Sequence, residues 1–223
     1  MAIVYATNIR KFNEEDYNRL IHIISKDRLN TINKFLNKED CIRSLVGEAV
    51  LRIKLGEIMD MDPKNFIIKK KKGGKPFFEN VPSVKFNISH SGDWVVIVLS
   101  HQKCGIDIEK IEKLHIEIAQ HFFTENEYIQ FFCKEKEKRK ELFYILWTIK
   151  ESYIKFDGRG LRIPLNSFEV KIHNGEYKLI LTQDKERKCK IKLLEIDPQY
   201  KMSVCTLDNY ILYKRVSLNE INV

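Results

Sequence analysis

Two carboxylates alternate with apolar residues in Gly105-Ile106-Asp107-Ile108-Glu109. Strand periodicity places Asp107 and Glu109 on one face and both isoleucines on the other. Carboxylates on one face repel unless water or a cation intervenes, and a hard, oxygen-seeking ion such as Mg²⁺ is the natural bridge. Taken alone, the segment fits an edge strand with an acidic solvent face equally well. A second polar set lies in Leu146-Trp147-Thr148-Ile149-Lys150-Glu151-Ser152-Tyr153-Ile154-Lys155, where Thr148, Glu151 and Lys155 recur at three- and four-residue steps and line one helix face. Phe143, Leu146, Trp147, Ile149, Tyr153 and Ile154 cover most of the remaining cylinder, so a largely buried helix with a narrow polar stripe is expected. On an exposed helix such a Glu–Lys pair is a stabiliser worth roughly 0.2–0.5 kcal/mol, whereas an unpaired buried charge costs several kcal/mol; burial therefore favours a site.

Two further clusters are polar turns. Phe86-Asn87-Ile88-Ser89-His90-Ser91-Gly92-Asp93-Trp94 ends a strand in hydroxyls and an imidazole that suit a phosphate, with no order of a catalytic triad. Lys69-Lys70-Lys71-Lys72-Gly73-Gly74-Lys75-Pro76 is a basic run whose glycines let backbone amides approach a ligand, or a solvated loop. It is not a Walker motif, because no hydroxyl follows the lysine.

These segments need elements to hold them. Tyr17, Leu20, Ile21 and Ile24 form one stripe and predict a helix over Glu14 to Ser25. A longer helix is expected from a cap at Asp40 through Ile42, Leu45, Val46, Ala49 and Ile53, weakening at Gly56. Strands follow at Phe66 to Ile68, Val84 to Ile88, Trp94 to Leu99 and Gly105 to Ile108. Thr124 and Glu127 form a capping box that starts a helix, and the charged stretch Lys134 to Lys140 leads into another from Glu141 to Phe156, closed by Gly158. Further strands are expected at Phe168 to Ile172, Tyr177 to Leu181, Lys190 to Ile196 and Met202 to Leu207. Each half of the chain runs a long helix, a proline (Pro63, Pro164), a phenylalanine (Phe66, Phe168) and then strands, which suggests two similar α+β lobes with a ligand cleft between them.

At 223 residues and 43% hydrophobic content the chain can bury a sizeable core. The N-terminus MAIVYATNIRKFNEED has no basic leader, and no apolar run reaches membrane-spanning length, so a cytoplasmic protein is expected. Cys41, Cys104, Cys133, Cys189 and Cys205 are scattered and odd in number, and read as reduced thiols. The net charge of +8 calls for an anionic partner without choosing among nucleic acid, membrane, phosphorylated small molecule or acidic protein.

The order G-K-P, ISHSG, GIDIE and W-x-x-K-E-x-x-x-K resembles the signature set of the Sfp-type (surfactin-synthetase-activating) 4′-phosphopantetheinyl transferases over nearly the whole chain. The resemblance implies a monomer of two α+β lobes related by a pseudo-two-fold axis, residues 1–103 making nucleotide and phosphate contacts and residues 104–223 carrying the metal site, catalytic helix and carrier contact. It implies coenzyme A in the cleft and transfer of its phosphopantetheine arm to a serine of an acyl or peptidyl carrier protein, with release of 3′,5′-ADP. Such a reaction activates fatty-acid, polyketide or nonribosomal-peptide synthesis. By position, Asp107, Glu109 and Glu151 would bind Mg²⁺, and Lys155, Ser89 and His90 the pyrophosphate. Gly73, Gly74, Lys75 and Pro76 would border the adenine, while Arg28, Arg43 and Ser44 would face the 3′-phosphate. Thr31 stands where the family often has a further cation, leaving Lys34 nearby. Glu151, Lys155 and His90 would be the catalytic set, Glu151 taking the serine proton. Ile111 to Phe123 resembles the carrier-binding region, with Phe122 and Phe123 as apolar anchors. Two other readings suit a basic protein with such carboxylates: a metal-dependent nuclease, and a nucleic-acid-binding module built on Lys69 to Lys75. Lys110 directly after Glu109 departs from the usual nuclease spacing, and no helix-turn-helix, zinc finger or aromatic RNA-binding signature is present.

Overall fold

The computed structural model describes residues 1–71, 74–114, 116–173, 176–181 and 188–221. The chain opens with a strand, β1 (Ala2–Asn8), where none was expected, followed by α1 (Glu14–Leu20), α2 (Lys26–Ile32) and α3 (Lys38–Met59). The single helix expected over Glu14 to Ser25 therefore ends early: Ser25 turns out to be an N-cap, its hydroxyl accepting from the Arg28 amide of a new helix. Asn37, not Asp40, caps α3, and Asp40 instead pairs with Arg43 at 2.8 Å. Gly56 does not end α3; a left-handed Asp60 does.

A short hairpin, β2 (Ile68–Lys70) and β3 (Pro76–Phe78), precedes β4 (Lys85–Ser91), β5 (Trp94–Ser100) and β6 (Cys104–Lys110). Phe66 and Ile67 stay out of β2 because Pro63–Asn65 forms a helical turn that Phe66 closes. The second half builds α4 (Ile116–Phe122), α5 (Glu125–Phe132), α6 (Lys136–Asp157), β7 (Phe168–His173), β8 (Glu176–Leu181), β9 (Lys190–Leu193), β10 (Tyr200–Thr206) and β11 (Ile211–Arg215). The capping box at Thr124 and Glu127 is formed as expected, and α6 begins about a turn before Glu141 and ends on left-handed Gly158.

These elements make the expected α+β fold of two lobes. One sheet runs β11-β1-β5-β4 and the other β6-β10-β9-β8-β7, each backed by a 22-residue helix, α3 or α6. α3 buries Leu45, Val46, Ala49 and Val50 against Val95, Ile97 and Leu99 of β5. α6 buries Leu146, Ile149 and Tyr153 with Phe168, Val170 and Leu179. A third core fills the space between the lobes, where Val4, Ala6, Val96 and Val98 meet Ile106, Ile108, Met202 and Val204. β5 is apolar on both faces for this reason: one face meets its helix and the other the opposite lobe. β11 pairs in parallel with β1, Ala2 opposite Ile211, so the C-terminal strand completes the first sheet.

Candidate active site

The edge strand of one sheet, β4, lies beside the edge strand of the other, β6, and side chains replace a main-chain ladder between them. The Asn87 side-chain oxygen accepts from the Ile106 amide at 2.9 Å, and Ser91 Oγ accepts from the Lys110 amide at 3.0 Å. Ser89 Oγ donates to Asp107 Oδ1 at 2.9 Å, and Ser91 Oγ donates to Glu109 Oε2 at 3.1 Å. Alternate residues of β4 thus satisfy edge amides that would otherwise be orphaned, and hold both carboxylates of β6.

The alternation expected along β6 is present. Ile106 and Ile108 are fully buried in the interlobe core, and Asp107 points the other way, beneath α6. Gly105 shares that face and permits the approach: a Cβ there would lie 2.1 Å from the Ser152 carbonyl oxygen and 2.3 Å from the Phe156 nitrogen. Backbone-to-backbone contact is therefore what brings Glu151 and Lys155 to the seam.

Lys155 Nζ donates to Asp107 Oδ1 at 2.6 Å and to Ser89 Oγ at 2.8 Å. The other Asp107 oxygen, Oδ2, is buried with no hydrogen-bond partner. Burial pushes the Asp107 carboxyl up in pKa, against the pull of Lys155. Burial, then the charge of Asp107, pushes Glu109 up to about 7, and the same two causes raise Glu151. Two carboxyls disfavoured by the charge of Asp107, beside an orphaned buried oxygen of Asp107 itself, are donors of the kind a hard divalent cation relieves. Among the described residues, however, no group of three or more His, Cys, Asp and Glu is gathered closely enough to enclose a metal.

The remaining expected residues are distributed as follows. Thr148 falls outside the site: it is fully buried and its hydroxyl bonds back to the Tyr144 carbonyl at 2.9 Å. His90 stands at the exposed end of β4, where lost hydration, then the Arg43 guanidinium, lower its pKa. Arg43 donates to Asp40, to Glu39 and, at 3.0 Å, to the carbonyl of Gly92 in the β4–β5 turn; Ser44 is half-buried beside it. Arg28 is tied to Glu48 at 2.7 Å, and the Thr31 hydroxyl bonds to its own helix at Asp27. Gly73 lies outside the described residues; Gly74 is left-handed and Pro76 opens β3. Lys75 reaches the carbonyls of Cys104 and Lys155. Of the two phenylalanines expected as carrier anchors, Phe123 is core, packed on Phe131 and Phe143, whereas Phe122 is exposed.

Two contributors were missed, and one residue of the motif lies elsewhere. The Trp147 indole opposes the rise in the Glu109 pKa and stacks on Phe143, with ring centroids 6.2 Å apart. Tyr200 accepts from the Asp93 amide at 3.1 Å and so closes over the turn that carries left-handed Gly92. Lys150, inside the motif, is not a site residue: it is buried against Glu127 at 2.8 Å and donates to the carbonyls of Leu165 and Phe168. The four-residue step from Trp147 to Glu151 was the one available signal; the placing of Tyr200 and Lys150 depends on distant pairing.

Family models agree with this geometry. Residues 11–102 match the model described as 4′-phosphopantetheinyl transferase, N-terminal, and residues 103–205 match the 4′-phosphopantetheinyl transferase superfamily. The chain is 38% identical over 196 residues to the 4′-phosphopantetheinyl transferase Sfp of Bacillus subtilis (strain 168), covering 88% of each. The chain belongs to the 4′-phosphopantetheinyl transferases. It is also 39% identical over 191 residues to the 4′-phosphopantetheinyl transferase gsp of Aneurinibacillus migulanus, covering 86% of this chain and 79% of that one. Among solved structures, a holo-(acyl-carrier-protein) synthase from Bacillus anthracis, in complex with CoA (3′,5′-ADP), covers 47% of this chain and 93% of its own at 22% identity and a TM-score of 0.40. Neither the nuclease nor the nucleic-acid-binding alternative finds support among these transferase relatives.

Proposed function

We propose that the protein transfers the 4′-phosphopantetheine group of coenzyme A to a serine of an apo acyl or peptidyl carrier protein and releases 3′,5′-ADP. The observation that carries this reading is the meeting of Lys155, Ser89 and Asp107 at the interlobe seam, in a chain of this family. Asp107, Glu109 and Glu151 are the residues that would hold Mg²⁺, which when bound supplies neutralisation of pyrophosphate charge.

The protein's own groups do the rest. Lys155 and Ser89 present an ammonium and a hydroxyl to the pyrophosphate, and Lys155 stabilises the charge that develops on the departing phosphate. His90 adds a donor at the open end of β4. Glu151, on a different element from the other two carboxylates, accepts the proton of the carrier serine as it attacks phosphorus. Arg43 and Ser44, with Arg28, face the 3′-phosphate, and the backbone of Gly73 to Pro76, with Lys75 beside it, borders the adenine. In this division of labour residues 1–103 bind the nucleotide, and residues 104–223 hold the metal, the catalytic helix and the carrier. The protein acts as a cytoplasmic monomer on carriers of fatty-acid, polyketide or nonribosomal-peptide synthesis, without nucleic acid or membrane as a partner; no helix among the described residues is long and apolar enough to cross a membrane.

Intact-mass spectrometry tests the proposal. An apo carrier protein incubated with the enzyme, coenzyme A and Mg²⁺ should gain one phosphopantetheine group, EDTA should abolish the gain, and added Mg²⁺ should restore it. Full activity in EDTA after extensive dialysis would remove the metal from the mechanism, and no mass gain on any apo carrier would remove the function.

A further inference from the structure

We infer that Lys75 is a positioning residue for the transfer, acting through the backbone of Lys155; the inference rests on the function proposed above. Its side chain leaves the β2–β3 hairpin and crosses to the second lobe. There the ammonium donates to the carbonyl of Cys104 at 2.9 Å and to the carbonyl of Lys155. The first belongs to the opening residue of β6 and the second to the last turn of α6.

A helix ends with four carbonyls that have no donor within the helix. In α6 the Ile154 carbonyl is closed by the Gly158 amide at 2.9 Å, and the Lys155 carbonyl is closed by Lys75. The cation also meets the negative end of the helix dipole. Its stem runs close to left-handed Gly158, where a Cβ would lie 3.3 Å from Lys75 Cδ.

Lys155 is thus held at both ends. Its carbonyl is fixed by Lys75, and its ammonium reaches Ser89 Oγ at 2.8 Å and Asp107 Oδ1 at 2.6 Å. Through Cys104 the same Lys75 ammonium ties this helix end to the strand that carries Asp107. These two carbonyls take two of the three N–H groups of the ammonium and aim it at backbone of the second lobe, which favours a positioning role over a nucleotide contact. The two roles therefore differ kinetically: a nucleotide contact sets KM, whereas a positioning contact sets kcat.

The test is steady-state kinetics of wild type, Lys75→Met and Lys75→Arg with coenzyme A and an apo carrier, with calorimetric binding of 3′,5′-ADP and the melting temperature of each. Lys75→Met keeps the stem and loses the donor; kcat should fall about 10- to 100-fold, while the KM for coenzyme A and the Kd for 3′,5′-ADP stay within about twofold. Lys75→Arg, which retains donors for both carbonyls, should recover most of the lost rate. A raised KM and Kd at unchanged kcat overturns the inference in favour of a nucleotide contact. Unchanged kinetics, a rate that arginine does not recover, or a Lys75→Met protein melted at the assay temperature overturns it as well. The wild-type control separates the two readings: no transfer by wild type counts against the function, whereas normal transfer by Lys75→Met beside an active wild type counts against the positioning role alone.

Discussion

The carboxyl of Glu151 is half-buried, and both burial and the neighbouring Asp107 raise its pKa. A raised pKa makes a carboxylate a better proton acceptor, provided the working pH still leaves it ionised. Activity that depends on this base rises with pH through its pKa, and the upward shift moves that acidic limb towards neutrality. Glu151→Gln keeps the size and loses the basicity. Its rate at saturating Mg²⁺ should remain roughly 10²–10⁴-fold below wild type, and the acidic limb of the pH–rate profile should change. Recovery to the wild-type rate by magnesium alone would reduce Glu151 to a metal ligand.

At the scale of elements, the approach of α6 to β6 governs whether these side chains meet. Gly105 fixes the distance, since no side chain fits between β6 and the α6 backbone. Gly105→Ala should therefore lower kcat strongly, with a fall in melting temperature that reports the displaced helix. The axial position of α6 is set at its middle by Lys150. This lysine is 0% exposed, pairs with an equally buried Glu127, and has its pKa lowered by burial first. Glu127 Oε1 also accepts from the Val170 amide at 2.8 Å, so α5, α6 and β7 share one polar node. Removing one partner of a buried, fully bonded ion pair costs about 3–5 kcal/mol. Lys150→Ala should show that loss in chemical denaturation, and a cost within experimental error of zero would mean that water replaces the ammonium.

Over the whole molecule, a net charge of +8 acts at long range on partners of opposite sign. If the carrier is acidic on its docking face, raising ionic strength should raise the KM for carrier several-fold and leave kcat nearly constant, because screening slows encounter more than it alters the bound complex. A kcat that falls with salt at constant KM would assign the charge to the chemical step instead. The closure of the first sheet is also a whole-molecule property. β1 is completed by β11 from the far end of the chain, and with β5 it forms the base on which β4 is laid.

Local chemistry was legible in the sequence. Period-two alternation put Asp107 and Glu109 on one face; the three- and four-residue steps put Glu151 and Lys155 on another, and the caps at Thr124 and Gly158 announced their helices, because each depends only on neighbours within a turn or a pleat. The family signature was equally legible, since its residues are named by type and order. Tertiary structure alone decided which of these groups touch. The stripe of α6 contained Thr148 as well as Lys155, yet only Lys155 reaches Asp107, and Lys150, between them in sequence, serves the core. The sequence pattern for Lys75 pointed to a ligand, whereas its bonds run to carbonyls about thirty and eighty residues away. Pairing of β1 with β11 and the side-chain seam of Asn87, Ser89 and Ser91 across to β6 likewise join segments with no local relation. The physical reason is the same throughout: periodicity fixes the direction of a side chain within its own element, while what stands opposite is settled by burying apolar faces against one another and by pairing the polar atoms left over.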